Sequence, residues 1–288
     1  MTDFVIYTDS GCDIASALLA DWGVRSSSLT FRFEDEDREY SSEDMTVRAF
    51  YDRMRAGGAA KTAAINIGNF LDAFEPLLQQ GLDILYLGFS SALSTTFNSA
   101  AIAARQLAAQ YPERRIITID SLSASAGQGM LVYLAKERKQ QGATLEETAA
   151  YVEEMKLRVS HWFTVDDLEY LKRGGRVSPT VAFLGNALGI KPVLHVDNSG
   201  SLINISKIRG RKKALAALAD KYGELAVTPA EGTVFISHSD CLADAEYLAG
   251  LLRERHGITV QIITDIGTVI GAHTGPGTVA LFFIGRER

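Results

Sequence analysis

Hydroxyl and carboxylate side chains gather in three short stretches, each following an apolar, β-prone run: Thr8-Asp9-Ser10, Ser90-Ser91-Ala92-Leu93-Ser94-Thr95-Thr96, and Asp120-Ser121-Leu122-Ser123. A turn between a strand and a helix start exposes backbone N–H groups without intrahelical partners, and hydroxyls beside them suit a carboxylate or phosphate oxygen. The second stretch is the richest. Ser94 or Thr95 would equally serve as the cap of the following helix, which alone justifies a hydroxyl there. Gly271-Ala272-His273-Thr274-Gly275-Pro276-Gly277-Thr278 is the other concentration. Its glycines would let backbone approach a ligand, and a neutral His273 can donate to an oxyanion. A tight loop around a structural histidine explains it as well. Neither stretch is a nucleotide signature: GxGxxG should follow the first strand, where only Gly11 stands, and no Walker A pattern occurs.

Two basic islands, Lys172-Arg173-Gly174-Gly175-Arg176 and Lys207-Ile208-Arg209-Gly210-Arg211-Lys212-Lys213, sit in an acidic chain. Such islands are usually solvated faces, although arginines beside glycines also suit phosphate or an acidic partner surface. Glu34-Asp35-Glu36-Asp37 reads as an exposed loop. Asp9 with Asp13, or Asp166 with Asp167, lacks the clustered partners of a magnesium site, and no metal or cofactor is expected. His161, His195, His238 and His256 are isolated and read as structural or exposed, and Trp162 and Phe163 read as core. Cys12 and Cys241 have no CxxC spacing and read as reduced thiols.

The elements that must position these groups alternate. Apolar runs at Phe4–Tyr7, Ile84–Leu87 and Arg115–Ile119 read as strands, with helices over Ile14–Trp22, from Asn66 to Gln80, from Thr96 to Gln110 and through Met130 to Lys139. A capping box at Thr144 and Glu147 opens a helix ending near Val159. Continuous apolar strands separated by helices predict a parallel sheet covered on both faces. Beyond residue 160 the texture changes. Trp162–Val165 is strand-like, Asp166–Lys172 makes helical turns ending at Gly174-Gly175, and Ser178-Pro179 opens a helix. Pro192–Val196 and Leu202–Ile205 flank Asn198-Ser199-Gly200 as a hairpin. Arg211–Leu225 and Cys241–Arg255 are helical, while Val234–Ile236, Val260–Ile263 and Val279–Ile284 are strands. The expected fold is therefore α/β with two domains: residues 1–159 with a parallel sheet, and residues 160–288 with a mixed sheet.

The chain has 288 residues, 47% hydrophobic and 22% charged, which suits two globular domains. A net charge of -6 argues against nucleic-acid binding, which needs a basic face. No apolar run approaches the ~18 residues of a membrane span. The first residues show no export signal, so a cytoplasmic location is expected.

Taken together, Tyr7-Thr8-Asp9-Ser10, Ser90 to Phe97, Asp120 to Ser125 with Gly127-Gln128-Gly129, Asp167 to Arg176, Ile190-Lys191-Pro192 and Gly271 to Thr278 resemble the DegV family across the whole chain. These are bacterial fatty-acid-binding proteins that serve a fatty-acid kinase as its lipid-presenting subunit. The resemblance implies a long-chain fatty acid held between the two domains, its tail in a tunnel. It implies no catalysis by this chain: a separate ATP-dependent kinase subunit would make the acyl phosphate used in lipid synthesis. Transient contact with a membrane is compatible with that role. By motif position Thr62 and Ser94 would bind the carboxylate, with the Thr95 amide and His273 beside them. Arg173, Arg176, Arg209 and Arg211 would dock the kinase or contact phosphate. This chain has Thr62-Ala63-Ala64-Ile65 where the family commonly shows Thr-Ser-Gln-Pro. It has Ser94-Thr95-Thr96-Phe97 in place of Ser-Gly-Thr-Tyr.

A serine hydrolase (esterase or thioesterase) is the alternative. Gly88-Phe89-Ser90-Ser91-Ala92 resembles a loosened nucleophile elbow between strand and helix, with Asp240 or Asp265 and His273 completing the order Ser, Asp, His. Against it, Ala92 replaces the final glycine. A sugar- or nucleotide-binding α/β protein is a third reading.

Overall fold

The structure, a computed structural model, describes residues 3–177 and 189–288. The helix expected from Ser178-Pro179 lies outside the described residues. Phe4–Asp9 (β1) is buried along its whole length and pairs in parallel with Val24–Ser27 (β2), to which Ser16–Asp21 (α1) leads. The chain next builds a small antiparallel sheet from Thr30–Phe33 (β3), Tyr40–Ser41 (β4) and Ala60–Ala63 (β5), with Val47–Arg55 (α2) before its last strand. Ile67–Gln79 (α3) returns to the first sheet. There Asp83–Gly88 (β6), Thr96–Gln110 (α4) and Ile116–Asp120 (β7) complete the parallel order β2-β1-β6-β7.

Both faces of that sheet are buried, and β6 shows how. Ile84 and Tyr86 join Phe70, Phe74 and Ala100 of α3 and α4. Leu85 and Leu87 face the other way, toward Met130 and Leu131 of Ala126–Gln140 (α5) and Val152 of Leu145–Met155 (α6). A strand covered on both sides needs apolar residues at successive positions, which is why β6 reads as one continuous run. Asn66 caps α3 by accepting the Asn69 amide at 2.9 Å, and Thr144 and Glu147 form the expected reciprocal box at α6. The helix does not run to Val159. It ends at Met155, and Val159 opens Val159–Thr164 (β8), where a β-branched and aromatic run favours the extended chain.

The second sheet follows. Glu169–Arg173 (α7) precedes the hairpin of Ile190–Val196 (β9) and Leu202–Arg209 (β10). Arg211–Leu225 (α8), Val234–His238 (β11), Leu242–His256 (α9), Ile262–Asp265 (β12), Thr268–Thr274 (α10) and Val279–Ile284 (β13) complete it. The order is β10-β9-β8-β13-β11-β12, and only the β11–β12 pair is parallel. It is a mixed sheet. α5 packs against β1 and β6 of the first sheet and β8, β11 and β13 of the second, so one apolar cluster joins Leu85 and Met130 to Phe163 and Phe282.

One segment differs from expectation, and another carries elements that the pattern did not predict. Gly271–Thr278 is not one loop, because its first half is the end of α10. Gly271 is small for packing: a Cβ there would stand 2.3 Å from the Tyr51 hydroxyl. Second, residues 30–63 form the small sheet and α2, around Phe31, Phe33, Phe50 and Tyr51, and Ala272 of α10 packs into that cluster.

Candidate ligand-binding site

Between the sheets lies a cavity walled by Leu29, Phe89, Leu93 and Ala124 from one half of the chain and Phe163, Leu202, Ile270 and Ala280 from the other. One part of its wall carries Thr62, Ser94, Arg176 and His273. Thr62 is on β5, and its Oγ1 lies 2.8 Å from Nε2 of His273. Ser94 accepts the Thr96 amide at 3.2 Å and sits 2.9 Å from the Thr96 hydroxyl, which accepts the Ile65 amide at 3.3 Å. Capping and exposure to the cavity therefore coexist at Ser94, and the same contacts tie the end of β5 to the start of α4. Thr95 is exposed and its side chain makes no cap, while its amide meets no acceptor among the described residues.

His273 is neutral near pH 7. Burial, and then the nearby Arg176 guanidinium, push its pKa down to about 4. Its Nδ1 is buried with no partner among the described residues. The ring lies so close to α7 that a Cβ on Gly174 would stand 2.2 Å from Nδ1, which explains a glycine there. Arg176 donates from Nε to the Leu93 carbonyl at 3.1 Å and from Nη1 to the Gly174 carbonyl at 2.6 Å. No carboxylate pairs with it among the described residues, and burial lowers its pKa. With Nε and Nη1 committed, its two-pronged fork is not free. It supplies charge and the Nη2 donors.

The other hydroxyl-rich turns are mostly engaged in building the scaffold. Asp9 is fully buried, and its carboxyl accepts the Gly11 and Phe89 amides, the Tyr86 hydroxyl and the Gln128 amide nitrogen, at 2.6–3.1 Å. Asp120 accepts the Ser91 and Leu122 amides. Asp13 is pushed up to about 7 by burial, holds Ser125 and accepts the Gly267 amide. Asp166 is paired with Lys191. No group of three potential metal ligands occurs among the described residues.

A family model described as "Uncharacterised protein, DegV family" matches residues 3–286. The chain belongs to the DegV family. It is 43% identical to a DegV domain-containing protein of Clostridium perfringens, over 100% of this chain and 99% of that one. Among solved structures it resembles a DegV lipid-binding protein of Thermotoga maritima (TM-score 0.88, 31% identity, 99% of each chain). It also resembles a fatty-acid-binding DegV family protein of Thermus thermophilus (TM-score 0.86, 30% identity, 98% of this chain and 99% of that one).

The DegV chain separates the four arginines of its basic islands. Arg176 is in the cavity wall. Arg173 lies outside, in a hollow it shares with Glu34, Lys61, Arg176 and His273. Arg209 is exposed on β10. Arg211 is held by Asp244 at 2.9 Å and Asp166 at 3.7 Å, and it donates to the Gly277 carbonyl. Ser90 gives the hydrolase alternative no support: it is fully buried, and its hydroxyl donates to the Gly200 carbonyl at 3.0 Å. Asp240 pairs with Arg55, Asp265 lies against His238, and His273 contacts Thr62. The sequence reading did not place Ser125, His161, Thr274 or Thr278 at the cavity. Ser125 and His161 sit beside apolar residues that themselves account for burial, whereas Thr274 and Thr278 belong to the glycine-rich stretch around His273, whose residue types mark the segment but not which side chains face the cavity.

Proposed function

We propose that this DegV protein binds a long-chain fatty acid, with the carboxylate at Thr62, Ser94, the Thr95 amide, His273 and Arg176 and the tail in the apolar cavity. One observation carries the reading: an apolar cavity whose polar wall offers neutral donors and one arginine that no carboxylate among the described residues pairs with. Burying the tail contributes ~0.8 kcal/mol per methylene, and several donors offset the carboxylate's lost hydration. Solved relatives described as lipid- or fatty-acid-binding support the same ligand class.

The protein acts as a cytoplasmic carrier without catalysis of its own. It presents the carboxylate to a separate ATP-dependent kinase subunit that forms the acyl phosphate. The hollow carrying Lys61 and Arg173 beside the head-group residues suits an added phosphate, and exposed Arg209 suits docking. Arg211, committed to two carboxylates, is the weakest of the four docking candidates.

Native and then denaturing mass spectrometry of the purified protein tests the binding, with organic extraction of whatever leaves. A stoichiometric long-chain fatty acid is expected. Protein that carries none and refuses added fatty acid would overturn the reading. For docking, charge reversal at Arg209 should weaken kinase-dependent phosphorylation while leaving fatty-acid affinity unchanged.

A further inference from the structure

The cavity wall holds a polar side chain that the proposed head-group site does not use. His161 stands on β8, is 4% exposed and lines the same cavity. Its ring lies 4.4 Å from that of Phe282 and 5.7 Å from that of Phe163. Its Nδ1 is buried without a hydrogen-bond partner among the described residues. The neighbouring His195, by contrast, sets Nδ1 3.0 Å from the His161 carbonyl.

Burial, and then Arg288 and His195, hold His161 well below the usual histidine range, so the ring is neutral. A neutral imidazole carries one N–H donor and one acceptor nitrogen, and burying either unmatched costs free energy. A phenylalanine, as at position 163, would line an apolar wall without that cost. The position also matters. His161 opposes Phe282, whereas Thr164 opposes Val279 at the start of β13, where the chain arrives from α10 and His273. Three residues of strand separate the two levels, about 10 Å at ~3.3 Å per residue. The imidazole is thus set back from the carboxylate end.

We infer that His161 is a specificity-determining contact for an acyl chain bearing a hydrogen-bonding oxygen well away from its carboxylate, a mid-chain hydroxy fatty acid. The inference rests on the fatty-acid reading above. A hydroxyl at that depth can accept from the ring N–H or donate to its free nitrogen, whereas a hydroxyl next to the carboxylate cannot reach it.

Dissociation constants for stearate, 2-hydroxystearate and 10-hydroxystearate, measured on the full chain and on His161→Phe, test it. The parent protein should hold 10-hydroxystearate at least as tightly as stearate. His161→Phe should favour stearate over 10-hydroxystearate by about tenfold. The 2-hydroxy acid, relative to stearate, should not distinguish the two proteins. An unchanged 10-hydroxystearate to stearate ratio overturns the inference and leaves the fatty-acid reading standing. Failure of the parent protein to bind any of the three overturns both. Should the variant not fold, the side-chain 15N signals of His161 in the parent protein decide: they should shift with 10-hydroxystearate and not with stearate, and equal responses overturn the inference.

Discussion

Two clusters of buried donors differ in what they close on. Around Asp9, two amides, a tyrosine hydroxyl and the Gln128 amide nitrogen converge on a carboxyl that the chain itself supplies. Around Thr62, Ser94 and His273, donors of similar kind line a cavity beside Arg176, and no carboxylate among the described residues joins them. The first cluster is a clamp, and the second is the site proposed for the carboxylate. The same chemistry holds structure when its acceptor is covalently attached, and offers binding when it is not. The two are also linked, because the Phe89 amide held by Asp9 fixes the turn that leads to Ser94.

Breaking the clamp gives the largest expected effect. Asp9→Ala leaves the Gly11 and Phe89 amides and the Tyr86 hydroxyl without their acceptor, while the Gln128 amide nitrogen keeps Thr8 Oγ1 and the Leu87 carbonyl. Unsatisfied buried groups cost roughly 1–3 kcal/mol each before relaxation. A loss of about 3–5 kcal/mol in unfolding free energy is expected. It is measured as a fall in the urea midpoint at constant slope. A shift under 1 kcal/mol would show that Asp9 is not the clamp described.

Acid sharpens the comparison from the other side. His273 has a folded pKa of about 4, below its unfolded value near 6.5. Above pH 6.5 both states are neutral and its contribution is complete. As pH falls from about 6.5 to about 4, the unfolded state gains a proton that the folded state refuses, so up to about 3 kcal/mol is lost. Asp13 works oppositely: raised to about 7, its contribution is present at low pH and fades as pH rises from about 4 to 7. Comparing the parent with His273→Gln isolates the histidine. The variant should lose less stability across that window, and parallel curves would refute the assignment.

How much of this could be read from the sequence depends on whether a residue's role is local. The cap at Asn66, the box at Thr144 and Glu147 and the continuous run of β6 are decided within a few residues, and periodicity finds them. The small sheet is not of that kind. Its strands are short, and the Phe31–Phe33 alternation gains meaning only when α2 and Ala272 close over it. Thr62 and His273 are 211 positions apart, so motif resemblance proposes the pair and only the fold gives its 2.8 Å contact. Arg176 shows the same limit. In the sequence it belongs to a basic island indistinguishable from a docking face. What moves it into the cavity wall is a pair of backbone carbonyls, Leu93 and Gly174.

Removing the charge of Arg176 tests the site itself. Arg176→Gln should weaken fatty-acid binding by about 10- to 100-fold, since a charge-assisted bond contributes roughly 1.5–3 kcal/mol. The loss should be steeper for the fatty acid than for the matching alcohol, which carries no charge. Equal losses for acid and alcohol would mean that Arg176 shapes the cavity wall and does not meet the carboxylate.

The smallest change is the most discriminating. Gly174 has φ −68, so alanine is allowed by its backbone, and the only severe contact of an added Cβ is with the His273 ring, 2.2 Å from Nδ1. Gly174→Ala must displace either that ring or α7. If His273 belongs to the head-group site, the ring moves away from Thr62 and fatty-acid affinity falls by about tenfold, or ~1.4 kcal/mol, with unfolding free energy changed by less than that. If the ring is only structural, stability falls and affinity in the remaining folded protein holds. Titration calorimetry and urea unfolding on the same preparation separate the two, because a clamp fails in stability first and a site fails in binding first.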